Sequence, residues 1–303
     1  MKYTLIGSIA VVVWGVFLPL GRFVQDQIGT WRSLGIIFLI TGLLSLARQG
    51  GRVAVSRSVW RNSMTYLRWA LFVLHEGILL ISIGAVSIEN LPVLLLINYL
   101  WPTAIIMCSI LFAGVSIHRV WAFALGTGLV VGSLSWELLA GHHHARIDAS
   151  NSIDLLCYAA TFVGAICWGL YCAISRRCGD AAGGAQVLPL FQLTLGAALL
   201  VSLLSQYDHA WNLTANGAAA LTFMCISQCV AYLCWDIGIR LGNIVVVSLC
   251  ADFIPWLSLA AAAILLGVPL SLRTVCTAAL LVIGAILTRY GTLQGNTASD
   301  ESA

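Results

Sequence analysis

Asn98, Tyr99, Trp101 and Pro102 stand almost side by side in INYLWPTAIIM, residues 97–107, inside a run that is otherwise as apolar as lipid. An amide, a phenol, an indole and a helix breaker serve no purpose in a segment that only has to span hydrocarbon. His75 and Glu76 interrupt a second apolar run, and Gln228 and Asp252 interrupt two more. Burying an ionisable group at the centre of a membrane helix costs roughly 2.5–3.5 kcal/mol or more, so His75, Glu76 and Asp252 are candidate site residues. Trp168 and Tyr171 are three apart, as are Asn98 and Trp101, and on a helix each pair shares a face. Aromatic walls with a carboxylate, an imidazole and amides suit a ligand that carries an ammonium, a carboxylate and an apolar ring. Such a ligand is an aromatic or large neutral amino acid. Glu76 and the ring faces draw the ammonium, the rings by cation–π attraction of roughly 0.5–2 kcal/mol. Asn98, Tyr99 and His75 are the donors for the carboxylate. The expected substrate-contacting set is Trp14, His75, Glu76, Asn98, Tyr99, Trp101, Trp168, Tyr171, Gln228 and Asp252.

Other polar groups read as structural. Asp236 and Arg240, four apart at a span end, form a helix-end ion pair, and Glu137 near the outer end of its span is hydrated. Trp31, Trp60, Trp69, Trp121, Trp136 and Trp211 fall at span ends, where interfacial belts form, whereas Trp101 and Trp168 lie deeper. The 10 cysteines lie nearly all within spans and read as small buried apolar residues, not a disulfide framework. His142, His143 and His144 share a connection with Arg146, Asp148 and Asp154 and read as a solvated external loop, so no metal is expected. Asn212-Leu213-Thr214 is formally a glycosylation sequon, with meaning only where such glycans are added. There is no phosphate-binding glycine loop with its lysine, and no convergent nucleophile and base, so neither ATP drive within this chain nor an enzyme is expected. No cofactor and no nucleic-acid partner is expected, and the chain is expected to act as a monomer in a lipid bilayer.

The elements that must position these residues follow from composition. The 303 residues are 60% hydrophobic and 9% charged, far from the roughly 25% charged residues of a soluble domain. Ten apolar runs recur, at about 3–21, 31–47, 66–84, 92–113, 119–139, 153–176, 187–205, 216–238, 244–266 and 273–290. Each is long enough to cross a hydrocarbon core of roughly 30 Å as a helix. The first is a spanning helix rather than a cleaved secretory signal. With the N-terminus inside, Lys2, Arg48, Arg52, Arg57, Arg61, Arg68, Arg119, Arg176, Arg177, Arg240 and Arg289 fall on the cytoplasmic side, and only Arg22, Arg32, Arg146 and Arg273 outside. That asymmetry follows the positive-inside bias, with the group from Arg48 to Arg68 as its main determinant, and ten spans leave both termini in the cytoplasm.

The two halves repeat one another at an offset of about 153 residues: AVVVWGVF at 10–17 lies against GAICWGLY at 164–171, NYLWPTA at 98–104 against ADFIPWL at 251–257, and AGVSIHR at 113–119 against GVPLSLR at 267–273. Trp14 thus faces Trp168, and Pro102 faces Pro255. Five spans per half reverse the second copy relative to the first. The expected architecture is therefore an all-α membrane protein of ten transmembrane helices, in two inverted five-helix repeats over 1–145 and 146–303, around a central cavity. Pro19, Pro102 and Pro255 are the expected kink and gating positions, because each leaves the carbonyl four residues before it, of Gly15, Asn98 and Ala251, without its helical donor. The matched prolines and the repeat speak against a simple channel.

The runs YTLIGSIAVVVWG, INYLWPTAIIMCSILF, CWGLYC and GNIVVVSLCADFIPWLSLAAAAILLGVPLS resemble the EamA branch of the drug/metabolite transporter superfamily, and within it the bacterial exporters of aromatic amino acids, along essentially the whole chain. The resemblance implies a basket-like fold in a bacterial inner membrane with a central cavity, moving aromatic amino acids, and also methionine, threonine and cationic drugs, outward by alternating access. It carries Glu76, Tyr99, Trp101 and Trp168 to that cavity. Val115 and Val268 stand near places where many repeats of the family hold a Glu. The alternative on the same scaffold is a multidrug, organic-cation or other metabolite exporter.

Overall fold

The structure, a computed structural model, describes residues 2–50, 57–141, 149–178, 181, 183–203 and 212–293. Its α-helices are α1 (Lys2–Ile28), α2 (Thr30–Arg48), α3 (Arg57–Arg61), α4 (Ser63–Ala85), α5 (Leu91–Asn98), α6 (Trp101–Phe112), α7 (Val120–Gly141), α8 (Ala149–Cys178), α9 (Leu188–Leu203), α10 (Ala215–Leu241), α11 (Ile244–Ala251), α12 (Ile254–Leu266) and α13 (Leu272–Tyr290). Several starts are written locally. The side chains of Asn62, Thr214, Asn243 and Ser271 accept from backbone N–H groups in the first turns of α4, α10, α11 and α13. The histidine run at 142–144, Arg146, Asp148, Arg52, Trp211, the boundary between the two expected repeats and residues 294–303 lie outside the described residues.

Nine stretches among the described residues are long and apolar enough to cross a membrane. Within the expected span at 187–205, the described residues hold the apolar helix α9, 16 residues long and so about 24 Å in length. Outward-facing apolar side chains say what surrounds the molecule: Leu5, Val12, Leu111, Ile264 and Leu272 are 66–82% exposed, while Arg68, Glu137, Asp236 and Arg289 are buried. That inverts the arrangement of a water-soluble fold and marks a multi-pass membrane protein.

The packing has an exchange pattern. α1 lies against α10 and α12, and α8 lies against α4 and α6; α2 pairs with α9, and α7 with α13. Swapping each first-half helix for its counterpart in the second half returns the same set of pairs. Two glycines from the repeated Trp-Gly permit the close crossings. A Cβ on Gly169 would meet the Ala104 backbone at 2.7 Å, so only glycine lets these backbones approach, and one on Gly15 would meet the Leu257 side chain at the same distance. The pattern reaches the helix ends: Arg22 Nη1 donates to the carbonyls of Ile83 and Val86 at 2.6 and 2.8 Å, closing α4. Arg176 Nη1 donates likewise to those of Arg240 and Gly242 at 2.6 and 2.8 Å, closing α10.

Each expected kink at Pro102 and Pro255 is a short interruption, two turn residues long, between two half-helices. The fourth run divides into α5 and α6 at Tyr99 and Leu100, and the ninth into α11 and α12 at Asp252 and Phe253. Each proline occupies the second position of the following half-helix, where a missing N–H costs nothing. Pro19, by contrast, lies inside the continuous helix α1. Its consequence is confined to one carbonyl, that of Gly15, which accepts instead from Ser258 Oγ at 2.5 Å.

Candidate functional site

The helix period brings one stripe from each of several helices to a common centre. On α1 the stripe is Trp14, Phe17 and Leu18, and on α4 it is Phe72, His75, Glu76 and Leu79; α10 contributes Gln228, Tyr232 and Trp235. The break between α5 and α6 adds Asn98, Tyr99 and Trp101, α8 adds Trp168, and α12 adds Ile254. A cavity of about 40 Å³ is lined by Trp14, Phe17, Leu18, His75, Glu76, Leu79, Asn98, Tyr99, Trp101, Trp168, Gln228 and Ile254. That holds a few water molecules and falls well short of the roughly 300 Å³ of a site already open to a small molecule. The site is drawn in a closed form.

One end of the cavity is shut by stacked aromatic rings. Trp14 meets Trp101, Trp168 and Tyr232 edge-on at centroid distances of 6.3, 5.7 and 5.7 Å. Trp235 lies 5.1 Å from Trp14 and 5.3 Å from Trp101. Trp14 Nε1 donates to Gln228 Oε1 at 2.9 Å, which fixes the indole and the amide together. The His75 ring stacks on Trp168 at 4.7 Å, and its Nδ1 lies 2.8 Å from the Gly164 carbonyl oxygen. A carbonyl only accepts, so Nδ1 carries a proton and Nε2 is turned to Glu76 Oε1 at 3.8 Å. Asn98 Oδ1 is buried with no hydrogen-bond partner among the described residues. It is an acceptor whose capacity is unused beside the cavity.

Eight of the ten expected contact residues therefore line one cavity: Trp14, His75, Glu76, Asn98, Tyr99, Trp101, Trp168 and Gln228. Two do not. Tyr171 stacks behind Trp168 at 5.0 Å and 18°, so it supports the wall rather than forming it. Asp252 is ion-paired with Arg289 Nη1, whose Nε donates to Ser248 Oγ at 3.1 Å. That pairing between α11 and α13 answers the cost of burying the carboxylate and leaves it no role in the cavity. Tyr99 lines the cavity, yet its hydroxyl donates to Ser258 Oγ and is not free for a ligand carboxylate in this form.

Burial is also more extensive than spacing suggested. Arg68 and Arg289, placed by count on the cytoplasmic side, are 0% and 1% exposed. Arg68 Nε donates to Ser175 Oγ at 2.8 Å, its guanidinium lies 5.4 Å from the centre of the Tyr171 ring, and its Nη2 is 3.5 Å from Asp236 Oδ1. Asp236 is thus the buried centre of a three-residue cluster, with Arg240 Nε at 2.7 Å as its other partner, and not a simple helix-end pair. Glu137 is buried as well, against the expectation of hydration: it accepts from Thr274 and Thr277 at 3.0 and 2.9 Å, with Arg273 Nε at 3.3 Å. Asp154 accepts from Ser87 and Asn90 across the helix gap instead of sitting in solvent. Apart from Arg240, four residues along α10 from Asp236, each of these partners lies on a different segment and is invisible to local spacing. Phe17, Leu18, Leu79, Tyr232, Trp235 and Ile254 were missed by sequence reasoning. For Leu79, Tyr232 and Trp235 the signal was present as helical spacing from Glu76 and Gln228.

Residues 155–290 match the model of the EamA-like transporter family. Two curated relatives, both called aromatic amino acid exporter YddG, align over nearly the full length. The one from Salmonella typhimurium (strain 14028s / SGSC 2262) is 28% identical over 297 residues, covering 94% of this chain and 96% of that protein. The one from Escherichia coli (strain K12) is 29% identical over 300 residues, covering 97% and 99%. A solved crystal structure of a protein shares the fold at a TM-score of 0.70 and 20% identity, over 100% of this chain and 99% of that one. The second half of the chain thus matches the EamA-like transporter family, and nearly the whole chain is similar to two exporters, which are transporters rather than enzymes.

Proposed function

We propose that the chain exports aromatic and other large neutral amino acids from the cytoplasm across a bacterial inner membrane, by alternating access through the cavity around Glu76, acting as a monomer with both termini inside. The observation that carries the reading is the cavity's composition: three tryptophans, a histidine, one carboxylate and the unpartnered Asn98 oxygen meet at one place. The ammonium of the substrate sits between Glu76, Asn98 Oδ1 and the Trp faces, and the ring packs among Trp14, Trp101 and Trp168. The names of the two relatives agree with that chemistry. We read the fold as ten spans in two inverted five-helix halves, 1–145 and 146–303, with α9 as the short seventh span. The exchange pattern of helix pairs, the matched Arg22 and Arg176 caps and the paired breaks at Pro102 and Pro255 support it. Broken helices at matched places in two inverted halves are how such transporters let one half rock against the other.

A second reading, export of organic cations, is favoured by one feature: a lone carboxylate among aromatic rings needs no ligand carboxylate to be satisfied. Counterflow of labelled phenylalanine, tryptophan and a planar organic cation into liposomes holding the purified protein, with and without a pH gradient, separates the two. Accumulation of the amino acids supports the first reading. Accumulation of the cation alone would replace it with the second.

A further inference from the structure

Beyond the central cavity, a second polar crevice opens between the C-terminal end of α2, the start of α9 and the later part of α10. Ser45, Arg48, Gln192, Cys229 and Tyr232 line it. Gln192 is 0% exposed, and neither its Oε1 nor its Nε2 has a hydrogen-bond partner among the described residues. A fully buried amide with all its capacity unused is a standing penalty in this form of the molecule, and such groups call for an explanation. Ser45 Oγ and Cys229 Sγ stand 3.2 Å apart beside it, and Arg48 is exposed at the rim.

Tyr232 joins this crevice to the central cavity. It lines the crevice, packs edge-on against Trp14 at 5.7 Å and lies 5.2 Å from Phe72, while its hydroxyl faces Glu76 and Gln228. Along α10 the order is Gln228 in the cavity, Tyr232 in the partition, then Asp236 and Arg240 in the buried charge cluster. Phe17, Leu18 and Leu79 carry the cavity the other way from the tryptophans. Crevice and cavity therefore lie in line on opposite sides of one aromatic wall.

We infer that the crevice between α2, α9 and α10 is a second, cytoplasmic-side site for the zwitterionic head of the α-amino acid, drawn here in its shut form. The inference rests on the export reading for the direction of travel. Arg48 takes the carboxylate at the rim, the Gln192 N–H groups complete its coordination, and Gln192 Oε1 with Ser45 Oγ accepts from the ammonium. When α9 and α10 close, the ligand moves past Tyr232 to Glu76, and Gln192 is left without partners, as observed. At about 10 Å³ the shut crevice holds one water.

Cys229 reports on the crevice directly. In purified full-length protein, N-ethylmaleimide alkylation of Cys229 is followed by peptide mass spectrometry with phenylalanine, with dimyristoyl phosphatidylglycerol, or with neither. Phenylalanine at about ten times its dissociation constant should slow the reaction about tenfold. Gln192→Leu should abolish that protection, and Arg48→Gln should shift it to severalfold higher phenylalanine. Because Gln192→Leu removes two unpartnered buried polar atoms, its thermal midpoint should equal or exceed the parent's, which separates loss of a site from loss of the fold. No protection in the parent, protection that persists in Gln192→Leu, or protection by the phospholipid alone would each overturn the inference. Counterflow by the parent is scored separately, so failure of the export reading remains distinguishable.

Discussion

Glu76 and Trp101 divide the chemistry of the cavity between charge and shape. Among the described residues, Glu76 is buried with the His75 imidazole, its Nε2 at 3.8 Å, as its ion-pair neighbour, unlike Asp236, Asp252 and Glu137, each held by an arginine. An acid without a fixed cation is the one a ligand ammonium can complete. Glu76→Gln keeps the shape and removes the charge, and should reduce amino acid counterflow about tenfold at matched protein levels, equivalent to about 1.4 kcal/mol. Undiminished transport would make this acid structural. Trp101→Ala should reduce transport of phenylalanine or tryptophan more than that of a small neutral amino acid, because the lost ring contact, worth roughly 0.5–1.5 kcal/mol, matters only to a substrate with a ring. Equal losses for all substrates would signal a folding defect instead. Asp252 belongs to the other kind of residue. Asp252→Asn leaves Arg289 buried without its anion and should lower stability by about 3–5 kcal/mol, read as a large fall in thermal midpoint, while Asp252→Leu with Arg289→Met should recover much of it. The cavity set was legible from sequence because midspan polarity is costly wherever it occurs. Which of those charges has a partner was not, since Arg289 is 37 residues from Asp252 and Arg68 more than a hundred from Asp236.

At the scale of the element, the two broken helices are tied to an unbroken one. Pro19 deprives the Gly15 carbonyl of its helical donor; Ser258 of α12 supplies another, and Ser258 in turn accepts from Tyr99 at the break between α5 and α6. One hydroxyl thereby links α1 to a segment from each half. Ser258→Ala leaves both the carbonyl and the phenol unpartnered and should cost more than Tyr99→Phe, which keeps the bond to Gly15; roughly 1–3 kcal/mol per orphaned group sets the scale. Thermal midpoints in the reverse order would remove this account of how Pro19 is tolerated. The glycines give a parallel ordering. Gly169→Ala drives a Cβ into the Ala104 backbone, whereas Gly15→Ala meets the Leu257 side chain, so the first should be the more destabilising, by an overpacking penalty of about 1–3 kcal/mol. Proline positions announced the two breaks in the sequence, and the run lengths announced all but one span. The remaining run is described only as the 16 residues of α9.

For the whole molecule, the question is which end of the cavity faces the cytoplasm. The exposed arginines Arg48, Arg57 and Arg61 flank α2, α3 and α4 at the end that also holds the Arg68–Asp236–Arg240 cluster. The aromatic wall of Trp14, Trp168 and Trp235 stands between that end and the cavity. With the positive end inside, the molecule is shut towards the cytoplasm by rings and buried ion pairs, and the cavity lies on the outer side of the wall. Two layers of different chemistry close the same path. The arrangement makes a test with native and introduced thiols. Cys178, partly exposed at the end of α8, and cysteines placed at 48–50 or 57–65 should react with a membrane-impermeant maleimide only from inverted vesicles. Cysteines placed between residues 140 and 152 should react only from intact cells. If Cys178 and a cysteine at 145 were modified from the same side, the chain would cross the membrane an even number of times between them. The inverted relation of the two halves, and the alternating access built on it, would then fall together.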